Sequence, residues 1–488
     1  MRKPFDPQRR LDCSTVVEVR LNLNCRDEIV PILVALQHIY SQPQLRDEIL
    51  GAVEQDVNGA SSRRRGRKGM DYWQILVLAA VRLGCNLNYD KLQDLAEQHR
   101  ALRQVMGIGD WEQDTTFDWR RIQHNVCQIR PATLERINQA IVAAGHRLAP
   151  EAVEQVRVDS SVVETNIHYP TEGSLIHDGL RKILTLCALL ASAVGLPGWR
   201  QHKHLEKKSK KIVRDINRIA ARKGANYQDR LRNGYETLLQ HAEMILDRAA
   251  ELREQMGEST AIEVIAWKAE LATFMQRTEQ VCGTARRRVL EDEQVPNEDK
   301  LFSIFEPHTQ LYKRGKAGEP IQFGRLAMIY EDAAGFIVHY HLLDRGANDK
   351  DVAVEQTQRA QSRLNHRIQQ ISFDRGFHSP ENQRELAKLV PGVCLPKPGA
   401  KQAAQQMETE SVAFHRARQH HPGVEAAIGA LQAGNGLKRC RDRTEPGFDR
   451  YLGLAVLGRN LHVLGKLLIA QQSADCKAAF SKRKRRAA

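Results

Sequence analysis

The order of short apolar strands and long amphipathic helices predicts an α/β protein. A mixed sheet flanked by helices follows an all-α region and is interrupted once by a long helical insertion. Three observations carry this. Two short apolar runs each end in an acid, Val156-Arg157-Val158-Asp159 and Ile371-Ser372-Phe373-Asp374. Gln322–Tyr330 and Gly335–Leu342, separated by Glu331-Asp332-Ala333-Ala334, read as an antiparallel hairpin. Between the first acid and the hairpin, from about Leu175 to Leu290, the pattern is helical. It is clearest where Tyr235, Leu238, Leu239, Ala242, Ile245, Leu246, Ala249 and Leu252 recur at three- and four-residue steps.

Taken in order, residues 1–69 begin polar. A helix follows with Ile29, Leu33, Leu36, Ile39 and Tyr40 on one face, and the basic linker Ser61 to Gly69 closes the segment. That linker, with Arg63, Arg64, Arg65, Arg67 and Lys68, is either a solvated hinge or an arm that tracks phosphates beside a helical domain. Residues 70–150 read as a compact helical domain. Asp71–Leu83 is a buried helix ending at Gly84, and Asn88 caps a second helix through His99. Thr115 or Thr116 caps a third with Phe117, Trp119 and Ile122, and Pro131 opens a fourth that closes at Gly145. Arg120, Arg121, Arg130 and Arg136 among them suit a helix-turn-helix-like DNA-binding module.

The sheet occupies 151–174 and 296–470, and 175–295 is the helical insertion. After the hairpin come a helix at Val352–Gln361, the second strand-acid unit, a helix at Pro380–Leu389 and a strand at Val393–Leu395. A last helix carries Leu454, Leu457, Leu461, Leu464 and Leu468. Residues 471–488, with Lys482 to Arg486, read as a disordered basic tail that anchors on phosphates.

An apolar fraction of 42% over 488 residues excludes wholesale disorder. Lys plus Arg less Asp plus Glu is 73 − 59 = +14, which favours a polyanionic partner, most simply nucleic acid. None of the 9 cysteines forms a C-x-x-C pair, so no zinc ribbon or redox pair is visible. The apolar stretch Ile183–Leu196 is too short to span a bilayer, and the N-terminus lacks a secretory h-region. The expectation is a cytoplasmic, nucleoid-associated protein with no membrane contact.

Carboxylates at the ends of neighbouring strands converge at one sheet edge, where they can hold a pair of Mg²⁺ ions. Standing alone, an Asp in such a place is equally a turn residue that ends a strand. Asp344, in LLDRGAND, is read in that way, and His378 as a surface histidine.

Asp159 in VRVDSSVVETNIHYPTEGSLIHDGLR, Asp374 in ISFDRGFHSPEN, and HHPGVEAAIGALQAGNGLKR together resemble DDE-type transposases of bacterial insertion sequences, and in particular the ISNCY group. FSIFEPHTQLYKRGKAGEPIQFG resembles the segment that opens the second strand in that group, and GLAVLGRNLHVLGKLL its C-terminal helix. The resemblance implies an RNase H-like catalytic core with Asp159, Asp374 and Glu425 as a catalytic triad. The triad would hold two Mg²⁺ ions, for which Mn²⁺ can substitute. Glu425 is placed by the resemblance alone; by its neighbours Val424, Ile428 and Leu431 it is one acid on a helix.

The function so implied is binding of terminal inverted repeats, then metal-dependent strand cleavage and strand transfer, on double-stranded DNA and by a homodimer or larger assembly. Where many relatives carry Tyr, Arg and Lys around the third acid, this chain has Arg418, His421 and Gln432; Lys438 and Arg439 are candidates for the DNA contacts. Two alternatives remain open: a catalytically decayed DNA-binding regulator, and a metal-dependent nuclease without strand transfer. The insertion is expected to reach a second DNA end or protomer through KHLEKKSKK and Arg286-Arg287-Arg288.

Overall fold

The computed structural model describes residues 11–59, 69–257, 260–313 and 320–487. The chain forms two compact units, residues 1–164 with 325–488, and residues 165–324. The expected insertion at 175–295 is thus wider on both sides. The helices expected as a separate domain at 70–150 belong to the same unit as most of the sheet.

In the first unit, α1 (Ile29–Ser41) and α2 (Pro43–Asn58) are split where Pro43 opens a new helix. Asp71 closes a capping box on α3 (Tyr72–Gly84), and the Asn88 side chain caps α4 (Tyr89–Gln98). A short α5 (Arg100–Val105) intervenes. The cap of α6 (Trp119–Cys127) is Asp118, which corrects the expectation of Thr115 or Thr116. The reason is local: Phe117 N–H donates to Glu97 Oε1 at 2.7 Å and Trp119 N–H to Gln93 Oε1 at 3.0 Å, so the chain stays extended up to Asp118. Pro131 opens α7 (Pro131–His146) as expected.

The first strand, β1 (Gln155–Thr165), is longer than its apolar start implies. In the second unit, α8 (Glu172–Val194), α9 (His202–Arg222), α10 (Tyr227–Gln255) and α11 (Ile262–Ala285) pack as a bundle. The buried apolar face of α10 is the one its periodicity predicts, from Tyr235 to Leu252. β2 (Gln310–Lys313) pairs antiparallel with the first residues of β3 (Ile321–Asp332).

The first unit resumes with β4 (Ile337–Leu342), α12 (Asp349–Arg363), β5 (Gln370–Phe373), α13 (Pro380–Leu389) and β6 (Gly392–Cys394). Then follow α14 (Ala400–Thr409), α15 (Val412–His420), α16 (Gly423–Ala433), the two-residue β7 (Arg439–Cys440) and α17 (Glu445–Ala487). β1 is flanked by β3 and β5, with β4 beyond β3 and β6 beyond β5; β7 pairs with β1. β4 runs antiparallel to β3, while β5 is parallel to β1 and β6 to β5. The result is a mixed sheet flanked by helices, in a mixed α/β protein.

α17 is the spine of this unit, packed by α1, α3 and α7. It continues to Ala487 through the stretch expected to be a disordered tail, where Gln, Ala, Lys and Arg are all good helix formers. Glu445–Asp475 is long and apolar enough to cross a bilayer by length and composition, but its apolar 18-residue window is 72% buried inside the protein. Arg459, His462 and Lys466 interrupt its apolar run, so it does not stand out in the sequence. α17 meets α3 backbone to backbone: a Cβ on Gly458 would lie 2.5 Å from the Gly84 nitrogen. Gly458→Ala must push two helices apart, and overpacking of this kind costs about 1–3 kcal/mol. Urea unfolding should report that loss, and a midpoint equal to the parent's would show that the helices can part freely.

His339 on β4 is fully buried between Gln356, 3.0 Å from Nε2, and Arg363, 2.7 Å from Nδ1. The guanidinium can only donate, so Nδ1 accepts and Nε2–H donates to Gln356. Burial first, and the Arg363 charge second, push the imidazole down to about 3 from its ordinary 6.5. Between those values the unfolded chain holds a proton that the folded ring refuses. Stability therefore falls as the pH drops through that window, by up to about 1.4 kcal/mol per unit. His339→Gln should remove about one proton from the slope of unfolding free energy against pH between about 6 and 4. An unchanged slope would mean that the ring is charged when folded.

Candidate active site

The acids of the two strand-acid units are neighbours. β1 and β5 pair in parallel with Arg157 opposite Ser372 and Val158 opposite Phe373. Asp159 and Asp374 are the next residue on each, and Asp374 keeps an extended backbone (φ −75°, ψ 164°). Neighbouring strands lie about 4.8 Å apart, and paired residues share a face. Val158 and Phe373 point into the core, both fully buried, so the two acids point the other way, with Arg157 and Ser372. Asp159 is half-buried and Asp374 exposed. One Asp159 oxygen accepts the N–H of Ser160 at 2.7 Å.

α16 covers this face. Arg157 donates to the carbonyl of His420 at 3.2 Å, His421 Nδ1 lies 3.1 Å from Ser372 Oγ, and Gln432 Nε2 donates to Ser161 Oγ at 2.9 Å. The helical path from Gly423 to Gln432 is about 13.5 Å. That from Arg157 to Ser161 along β1 is about 13 Å. The helix therefore runs alongside the strand, with Asp159 between its two attachments. Val424, Ala427 and Leu431 face the sheet, and Glu425, in the first turn, is exposed at the rim of that packed face.

His421 reports how the charges gather. Burial lowers its pKa, the charges of Asp374 and Glu425 pull it back up, and Arg157 and Arg418 push it down. Both carboxylates therefore act on one imidazole. At two of the three departures from the transposase signature, His421 and Gln432 tie α16 to the strands that bear the acids. That role has no signal in the sequence, because it needs Ser372 and Ser161 as partners. Among the described residues, no three His, Cys, Asp or Glu side chains form a group that could hold a metal ion as they stand.

The other expected site residues lie elsewhere. Arg439 on β7 pairs with Glu164 at 3.0 Å, and the Lys438 carbonyl accepts the Glu164 N–H at 3.2 Å, so this segment is bound to β1 beyond the far end of α16 from Glu425. Arg63, Arg64, Arg65, Arg67 and Lys68 lie outside the described residues. Asp344 sits in a turn after β4, its carbonyl accepting the Ala347 N–H, and His378 is partly exposed.

On the face of the acids, Arg157 also bonds Glu331 on β3 at 2.7 Å, and Arg459 lies 3.7 Å from the same carboxylate. Glu331 is 3% exposed, and burial raises its pKa despite both cations. Arg157→Met should cost about 2–4 kcal/mol by thermal melting, since it strands a buried charge. Adding Glu331→Met should recover most of it; a double variant no more stable than the single would place the loss outside this pair. Comparison of the chain with protein-family models, curated proteins and solved structures finds no match.

Proposed function

We propose that this chain is a DDE-type transposase, which binds the terminal inverted repeats of an insertion sequence and cuts and joins DNA there by metal-dependent phosphodiester chemistry. The observation that carries the reading is the parallel register that sets Asp159 beside Asp374 under the helix that bears Glu425 in its first turn. The strand order supports it: β3 and β4, an antiparallel pair on one side of β1, with parallel strands β5 and β6 added on the other side through helical crossovers, suit an RNase H-like core.

Asp159, Asp374 and Glu425 offer hard oxygen donors, and the last two are exposed. This suits Mg²⁺ or Mn²⁺, which keep several waters and need few protein carboxylates. Bound there, such ions would supply positive charge against the charge that develops at phosphorus. The chain's own residues prepare the place. The β1–β5 register fixes the spacing of two acids. His421 holds α16 to Ser372, and Arg157 is held back by Glu331. Neither a Ser nor a Tyr nucleophile is required, because water and then a DNA 3′-hydroxyl attack in line. Joining two ends calls for at least two protomers on double-stranded DNA.

His421 and Gln432, given over to holding α16, favour a DNA-binding regulator as the second reading. Asp159→Ala, Asp374→Ala and Glu425→Ala should each lower cleavage of DNA carrying the element ends about a hundredfold or more in Mg²⁺. End binding should be nearly unchanged in gel shifts. Cutting by Glu425→Ala at the parental rate would remove the third acid from the site. End-specific binding with no cutting by the parent in Mg²⁺ or Mn²⁺ would leave the regulator.

A further inference from the structure

The two basic clusters of the second unit, Lys203–Lys211 and Arg286–Arg288, look alike in sequence but differ in the folded protein. Arg286 pairs with Glu243, Arg287 with Glu293 and Asp299, and Arg288 with Glu172. Lys182 and Arg232 likewise pair with Glu270 and Asp292. Each arginine of the Arg286–Arg288 cluster therefore has an acidic partner within its own unit.

The cations of α9 are arranged otherwise. Lys203, Lys207, Lys210, Arg214 and Arg218 follow at steps of four, three, four and four residues, all exposed, and so form one stripe along the helix. The opposite seam, Leu205, Ser209, Val213 and Ile216, is buried against the bundle, with Ser209 Oγ 2.9 Å from His177 Nδ1. Among the described residues only Arg218 of this stripe has an ion-pair partner, Asp215 at 3.2 Å.

The geometry points to the outer face of α9, in the second unit, as a phosphate-tracking surface for duplex nucleic acid. This assignment holds whether or not the acids cut. An anionic membrane fits less well, because a surface-lying helix inserts its apolar face, and here that face is already covered. A protein partner fits less well too, since protein interfaces are depleted in Lys and built around aromatic anchors, whereas this stripe is Lys and Arg. Nucleic-acid interfaces are the strongly positive ones.

The test uses the full chain in EDTA, so that cutting does not enter. Lys203→Gln, Lys207→Gln, Lys210→Gln and Arg214→Gln are combined in one variant. Lys182→Gln, Arg232→Gln, Arg286→Gln and Arg287→Gln are combined in a control with the same change of charge. Affinity for a random-sequence duplex is read by fluorescence anisotropy against salt, with circular dichroism to check folding. The α9 variant should bind about tenfold or more weakly near 0.1 M salt, and its log–log salt slope should fall by about 0.9 for each phosphate that is no longer neutralised. The control should keep most of the parental slope. Equal losses in both variants, or no loss in the α9 variant, would overturn the assignment. So would α9-dependent binding to phosphatidylserine vesicles without binding to the duplex.

Discussion

The close approach of Gly84 and Gly458 is the constraint on which the first unit depends. With no side chains between them, α3 and α17 approach until their backbones touch, and α17 becomes buried on several sides. That depth lets Asn460 reach β4, where it accepts the Ile337 N–H at 2.8 Å and donates to the Ile337 carbonyl at 3.1 Å. The same amide donates to Asn138 of α7 at 3.2 Å. One α17 side chain so joins a helix and a strand. At its N-terminal end, Asp442 receives Arg82 of α3 in a two-pronged pair, each side chain at most 5% exposed. Tyr89 stacks on that guanidinium at 4.0 Å. Such a pair, buried and fully directed, fixes one arrangement more than it adds stability.

The candidate site inherits its order from this frame. Arg157 connects β1 to Glu331 on β3, and Glu331 in turn faces Arg459 of α17. Arg157 therefore ties the strand bearing Asp159 both to the spine, through Glu331, and to the His420 carbonyl just before α16. Neither acid has to hold itself in place, and both can stay accessible. A candidate site whose scaffold bonds lie two residues away from its acids keeps its spacing without engaging those acids.

Much of this was legible in the sequence where one physical signal decided the matter. The Asp71 and Asn88 caps, the Pro131 start, the α10 seam and the hairpin all follow from local chemistry. So do the two strand ends with their acids. What the sequence hides are features set by distant partners. Asp118 takes the cap of α6 because Glu97 and Gln93 hold the preceding loop extended. The burial of α17 is masked by three polar residues, of which Arg459 and His462 find partners only in the fold. The contrast between two basic clusters depends on acids, such as Glu243 and Glu172, that lie 43 and over 100 residues away. The helical region of 70–150 reads as a domain of its own because its periodicity is complete, yet its apolar faces are spent on α17.

The division of the chain has a consequence for how the protein is made. The core of the second unit is built within one contiguous stretch, residues 165–324, so nothing synthesised later is needed to complete it. The first unit is the reverse case. Its opening helices wait for α17, and its first strand waits for β5, more than two hundred residues on. A nascent chain thus carries its early helices with their apolar faces uncovered until the last helix leaves the ribosome. Only a chain synthesised at least through α17 can bring Asp159 and Asp374 together in an ordered frame, so a prematurely terminated product would carry the inserted bundle without a site.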